Sequence, residues 1–417
     1  MVKQKNIATS VYNKNRQDSF KKNTAWMMFG NTYYAVCQWM VLVTLARLGG
    51  AEDVGVFMLA LSITGPIVLF FEFGMRTILA TDVKNEKDYS AYFVARIAAS
   101  LSGFIICLII ALLYGSSLFW IIMIIGLSKT TESFSQMYYG YALQQQNHKR
   151  ISISLVMRGT ASTIILMLVY LMTKDITVSA IAYTASWLIT LILYDRNNVT
   201  EKLHLLDKDT IKNAWLVILS GFPLGTTALL GVLGLYIPRY FLERTHGIAD
   251  LGIFSSMAYF ITVGNIVVYA LGQAIMPALA RNHANGEKEK FRKIVLFTFG
   301  LVCIIDVIGI SAAYLIGKPV LDIMYGPEFS AHANVLPFVA IAAAITYLAN
   351  IIGYAINAKR IFMAQAPAQL IIVIVSILGA WYYVPLYGLN GAAYVLILSS
   401  VTMFMSFLGV YFIYRKR

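Results

Sequence analysis

Long apolar stretches separated by short polar breaks run through the whole chain. Val54–Phe71, Leu101–Leu113, Ile164–Met172, Ile371–Tyr383 and Ala392–Tyr414 are nearly free of ionisable side chains. A stretch of about 20 apolar residues spans the hydrocarbon core of a bilayer as a helix. Dividing the chain at its polar breaks by that rule predicts about 12 spans. The first half gives Asn23–Leu48, Val54–Ala80, Ala91–Tyr114, Leu118–Leu143, Ile151–Met172 and Ile176–Tyr194. The second gives Ala214–Leu242, Leu251–Leu279, Lys293–Ile316, Ala333–Asn357, Phe362–Val384 and Asn390–Tyr414. The expected class is an all-α integral membrane protein.

Composition removes the soluble alternative. Of 417 residues, 59% are hydrophobic and 13% charged, whereas soluble chains carry about 25% charged residues. Water-facing shells for two or three domains cannot be built from so few charges. The net charge of +13 does not point to nucleic acid, because Lys and Arg are scattered among short loops. With the N-terminus inside, the inner segments hold 24 of the 33 basic residues and the outer ones 5. That is the asymmetry of cytoplasmic loops, and it predicts an even number of spans with both termini cytoplasmic. The basic stretch before the first apolar run lacks a short cleavable core, so it reads as a retained tail.

Two segments match at an offset of 197 residues. Arg47-x-x-Gly50-x-x-Asp53-x-Gly55-x-Phe57 recurs as Arg244-x-x-Gly247-x-x-Asp250-x-Gly252-x-Phe254. Gly140-Tyr-Ala recurs as Gly353-Tyr-Ala before a basic turn, and Ala182-Tyr as Ala393-Tyr. An even number of spans per half makes the repeats parallel. The predicted organisation is a tail at 1–22, a six-helix lobe at 23–195, a linker at 196–213, a second lobe at 214–414 and a tail at 415–417. Gly50, Asp53, Gly55, Gly247, Asp250 and Gly252 read as structural turns, with each Asp expected to cap the helix that follows.

Chemistry is sparse. No phosphate-binding Gly-rich loop occurs; the cysteines and histidines lack metal-ligand spacing, so neither a metal nor a cofactor is expected. The longest loop between spans, Arg196–Asn213, is short for an enzyme domain. Charges inside spans are the informative residues, since each is costly unless it meets water or a partner. Glu72 and Arg76 stand four apart, as an i,i+4 pair would, while Arg96 and Arg158 are placed to snorkel. Lys129, Glu132, Ser133, Gln136 and Gly140 form one stripe on the fourth predicted helix, expected to line a wet cavity. Asn31 and Gln38 add a milder stripe on the first. Asp306 reads as either an ion-responsive acid or half of a cross-helix pair. Gly221, Pro223 and Pro238 are expected to break or hinge the seventh helix. Arg76, Arg96, Lys129 and Arg158 outnumber Glu72 and Glu132 in the first lobe, which suits an anionic head group such as a pyrophosphate. The substrate-cavity candidates are Asn31, Arg76, Lys129, Glu132, Gln136 and Arg158. The coupling-ion candidates are Asp306, Glu132 and Glu72.

The stretch Leu45-Ala-Arg-Leu-Gly-Gly-Ala-Glu-Asp-Val-Gly-Val-Phe57 resembles the first outer turn of polysaccharide repeat-unit flippases of the Wzx type. These belong to the multidrug/oligosaccharidyl-lipid/polysaccharide (MOP) exporter superfamily. Met324-Tyr-Gly-Pro-Glu-Phe329, Asn357-Ala-Lys-Arg360 and Pro385-Leu-Tyr-Gly-Leu-Asn-Gly-Ala-Ala393 are similar to it as well. The resemblance implies two six-helix lobes in a V shape within the bacterial inner membrane. It further implies translocation of an undecaprenyl-pyrophosphate-linked oligosaccharide to the outer leaflet, for O-antigen or capsule assembly. Membrane lipids, and a polysaccharide polymerase with its chain-length machinery, are the implied partners. A cation-coupled drug or metabolite exporter of the same fold is the alternative, disfavoured by the scarcity of acids. A membrane enzyme of polysaccharide assembly is the other.

Overall fold

The computed structural model describes residues 2–82, 88–199, 207–359, 361 and 365–414, with backbone alone for 2–21 and 198. Lys84, Lys87, the stretch 200–206, Arg360 and the predicted tail at 415–417 lie outside the described residues. Every regular element among those described is a helix. The long elements are α1 (Val2–Phe71), α2 (Met75–Thr81), α3 (Tyr89–Tyr114), α4 (Ser116–Gln144), α5 (His148–Thr173) and α6 (Ile176–Thr190). A π-turn, Leu191–Asp195, extends α6. After it come α7 (Lys208–His246), α8 (Ile248–Ala284), α9 (Lys288–Met324), the short α10 (Pro327–Ser330), α11 (Leu336–Ala358) and α12 (Gln365–Ile413).

Among the described residues, 9 helical segments are long and apolar enough to cross a membrane. Two of them are too long for one crossing. Lys22–Thr81 has 60 residues and Gln365–Ile413 has 49, or roughly 90 and 75 Å of helix at the α-helical rise. The hydrocarbon core is about 30 Å thick. Each turns at a glycine in the left-handed region, Gly50 (φ 77°) and Gly388 (φ 53°), a conformation that L side chains rarely adopt. The helix α4 is not among the nine; its polar stripe lowers the hydropathy that the others keep.

The helices α1, α3, α4, α5 and α6 pack on one another, and α11 gathers α8, α9 and α12, with α7 against α12. The two groups meet where α7 packs on α1 and α3, and again where both copies of the repeat lie. A Cβ on Gly55 would strike the carbonyl of Ile248, and one on Gly252 the carbonyl of Ala51. The repeated glycines therefore let the two copies cross backbone against backbone. Arg47 Nη2 donates to the carbonyls of Asp322 (2.5 Å) and Ile323 at the end of α9, and Trp39 donates to the Tyr325 hydroxyl at 2.7 Å.

The expected Asp caps are not the ones made. Asp53 accepts from the Tyr170 hydroxyl, and the Ala51 N–H just past the Gly50 turn is taken by Glu328 Oε2 at 2.9 Å. The helix start at Gly247 carries no side-chain cap. A carboxylate from the other group reaches the turn, which frees Asp53 to hold α5. Replacing Gly252 by valine is expected to cost about 1–3 kcal/mol, the usual penalty for forcing atoms into a packed contact. Gly300→Val, where a Cβ meets open space, should leave thermal denaturation in detergent nearly unchanged.

Of the break or hinge expected in the seventh span, the break is not formed. Pro223 and Pro238 lie inside the helical run of α7, and Gly221 packs on the Phe73 carbonyl. Instead the predicted span Val54–Ala80 is interrupted between α1 and α2, where Phe73 (φ 48°) and Gly74 (φ 58°) turn left-handed.

Candidate functional site

The polar stripe of α4 is the spine of one connected network. Lys129 Nζ lies 2.9 Å from Glu132 Oε2, one turn along the helix. Glu132 Oε1 is 3.9 Å from Arg158 Nη1 on α5, and Arg158 Nη2 is 3.5 Å from Asp195 Oδ2. The same Arg158 nitrogen donates to the Tyr139 hydroxyl at 3.1 Å, which pairs with Ser154 at 2.7 Å. One turn further along α4, Gln136 Oε1 accepts from Arg76 of α2 at 2.6 Å. Ser133 accepts from Arg96 of α3 at 2.7 Å.

Aromatic rings fill the gaps between these charges. The Arg158 guanidinium sits 5.0 Å from the Trp187 ring centroid and 5.7 Å from that of Tyr139. Lys129 lies 5.5 Å from Trp187 and Arg76 5.6 Å from Tyr139. A cation over an aromatic face is stabilised by the ring quadrupole, more so away from water. Two rings thus link three cations that would otherwise repel.

Burial separates the members into two kinds. Arg96 and Arg158 are 0% exposed, so neither snorkels as the sequence suggests; each finds its partners inside the bundle. The Lys129 and Glu132 side chains keep 24% and 18% of their surface, and Arg76 and Gln136 are also only half-buried. Tyr236 of α7 is within electrostatic reach of Lys129, and Tyr269 of α8 of Arg76.

Of the six cavity candidates, the structure brings together Arg76, Lys129, Glu132, Gln136 and Arg158. Asn31 stands apart, exposed and donating to the Met27 carbonyl of its own helix at 2.7 Å. Glu72 makes no ion pair with Arg76 among the described residues. The bend at 73–74 lies between them, and Arg96 reaches the Glu72 carbonyl at 3.5 Å.

Asp195, Arg150 and Trp187 are among the members that escape a reading of the sequence. Asp195 ends an apolar span beside Arg196 and looks like a loop charge, yet the π-turn folds it inward until it is 1% exposed. Such turns concentrate at functional sites. Arg150 looks like half of a basic loop pair, but it is buried and donates to the Asp195 carbonyl at 2.8 Å. Trp187 is indistinguishable from an ordinary apolar residue until its neighbours are known.

Asp306 is separate from this network. It is buried on α9, beside a mainly apolar cavity of about 280 Å³ that Tyr347 and Gly264 also line. Neither carboxylate oxygen has a hydrogen-bond partner, so the cross-helix pair is not formed among the described residues.

The pattern of the family described as "Polysaccharide biosynthesis protein" matches residues 20–283. The chain is 25% identical over 399 residues to the capsular polysaccharide biosynthesis protein CapF of Staphylococcus aureus, covering 95% of this chain and 99% of that one. Its fold is similar to that of the lipid II flippase MurJ in an inward closed conformation. That match has a TM-score of 0.72 at 11% identity, over 92% of this chain and 87% of that one. It is also similar to an inward-facing multidrug resistance MATE family transporter of the MOP superfamily. There the TM-score is 0.66 at 12% identity, over 92% and 93% of the two chains.

Proposed function

The chain belongs to the polysaccharide biosynthesis protein family, and from that premise we propose that it is a flippase for a lipid-linked oligosaccharide, working by alternating access. The observation that carries this reading is the half-exposed cationic edge of Lys129 and Arg76, backed by buried Arg96, Arg150 and Arg158. Five cations stand against the acids Glu72, Glu132 and Asp195. A pyrophosphate between glycan and lipid is the group such an edge would hold, through charge-assisted hydrogen bonds.

Counting the two bent segments as two crossings each and adding α4, the nine segments become twelve crossings. These divide into lobes at 23–195 and 214–414, with Gly221, Pro223 and Pro238 as the hinge of α7. The basic loops then face the cytoplasm, both termini with them, in the bacterial inner membrane. The undecaprenyl-pyrophosphate-linked unit loads on the cytoplasmic side and leaves to the outer leaflet for capsule or O-antigen assembly, where a polymerase with its chain-length machinery takes it over. The chain performs no bond chemistry. Its test is deletion followed by lipid analysis. Accumulation of cytoplasmic-side lipid-linked repeat units supports flipping; unchanged surface glycan with altered drug sensitivity overturns it.

Asp306, with no partner among the described residues, is the residue we assign to ion coupling, ahead of Glu132 and Glu72, whose surroundings are taken up by arginines and a lysine. Asp306→Asn should abolish the dependence of flipping on the ion gradient in proteoliposomes, with folding unharmed because no ion pair is broken. Equal gradient dependence in variant and parent would remove Asp306 from that role.

A further inference from the structure

Far from the Lys129 network, a groove runs between α9 and α12 with α11 as its floor. Val295 and Phe299 form one wall, Phe404 and Leu408 the other, and Ile352 and Ala355 the bottom, around a volume of about 320 Å³. The rings of Phe299 and Phe404, 6.4 Å between centroids, close one end. The other end opens at Arg292, which is exposed and also lines the groove. From Arg292 to Phe299 is seven residues, or about 10 Å at the helical rise.

The open end is strongly basic. Lys288, Lys290, Arg292 and Lys293 lie on the first turns of α9. Lys359 caps α11 between Phe291 and Tyr411, 5.7 and 4.6 Å from their ring centroids. The acids at this end are Glu287, bonded to Lys290 at 3.0 Å, and Glu289. A blind apolar groove of ~10 Å is too short for a spanning helix, which needs about 30 Å. It fits the upper part of one hydrocarbon chain, and the cations at its mouth fit a phosphate. Basic pockets between helices at the cytoplasmic face are where anionic head groups settle.

We propose that this groove binds an anionic glycerophospholipid of the cytoplasmic leaflet, with its phosphate on Arg292 and one acyl chain between Phe299 and Leu408. Only the leaflet rests on the orientation proposed above. The groove is formed entirely by α9, α11 and α12, away from the α4 stripe, so this lipid is a resident ligand and not the transported one. Its place on three helices of the second lobe couples lipid composition to how that lobe packs.

The full chain, purified in detergent, is titrated with phosphatidylglycerol or phosphatidylcholine of identical chains, and bound lipid is read by native mass spectrometry. Phosphatidylglycerol should bind more tightly. Arg292→Ala should weaken it about fivefold, the weight of one basic residue at a charged lipid surface. Lys318→Ala, at the opposite end of α9, should not. Leu408→Trp, which fills the groove, should weaken both lipids with melting unchanged. The site is overturned if Arg292→Ala and Lys318→Ala bind phosphatidylglycerol alike, or if the two head groups bind equally. It is also overturned if undecaprenyl phosphate displaces phosphatidylglycerol at equal concentration. Binding is read without transport, so a chain that fails to flip yet discriminates between the head groups contradicts the flippase reading and leaves the lipid site standing.

Discussion

Replacing Arg158 by alanine is expected to lower folding stability by about 3–5 kcal/mol, the range measured when one partner of a buried ion pair is removed. The size follows from what is left behind. Asp195 is 1% exposed and has Arg158 as its ion-pair partner, at 3.5 Å. Without the guanidinium, a carboxylate remains in a low-dielectric interior without its ion-pair partner, and Arg150, bound to the Asp195 carbonyl, offsets only part of that loss. Glu132 loses less, because Lys129 stays 2.9 Å away. Trp187 and Tyr139 lose the cation between them as well. The double variant Arg158→Leu, Asp195→Leu removes both charges together, and should regain most of the loss, since buried pairs are often replaceable by apolar residues of similar volume. Thermal denaturation of the three proteins in detergent checks this. A single variant as stable as the parent would mean that Asp195 is not held by Arg158.

How far this was legible in the sequence depends on the kind of signal. Membrane class is written in runs of apolar residues, because the bilayer imposes a length on every span. The repeat that begins at Arg47 and Arg244 marks where the two helical groups meet, because a backbone-to-backbone crossing excludes a Cβ at Gly55 and Gly252. The α4 stripe was legible for the same geometric reason: residues three and four apart share one face. Its partners were not. Nothing in the local pattern joins Asp195 to Arg158 across a π-turn. Snorkelling was the natural reading of Arg96, but Ser133 stands one residue beyond Glu132 and turns inward to meet it. Pairing across helices is set by rotation of each helix about its axis, which periodicity alone leaves free. The bend at Phe73 was hidden for another reason. Gly74 lies inside a predicted span, between Glu72 and Arg76, and the turn shows only in three dimensions, where Leu224 and Gly221 of α7 pack against the bend.

Lys129→Gln should have the opposite signature to Arg158→Ala: little effect on folding and a large one on transport. Its side chain is 24% exposed and its pair with Glu132 is an i,i+3 contact on one helix. A partly solvated pair of this kind is worth about 0–1 kcal/mol, so melting should barely move. A phosphate held by that ammonium, however, would lose a hydrogen bond to a charged group, worth about 1.5–3 kcal/mol. At tenfold per 1.4 kcal/mol, that is roughly 10- to 100-fold in flipping at limiting substrate. Arg76→Gln should act in the same direction, because Arg76 is also half-buried and joined to Gln136. Combining the two should deepen the loss. The control is Lys174→Gln, at the far end of α5. Complementation of a deletion strain, scored by surface polysaccharide at matched protein levels, reads the result. Full complementation by the double variant would show that the cationic edge does not carry the substrate, however well the rest of the network holds the lobe together.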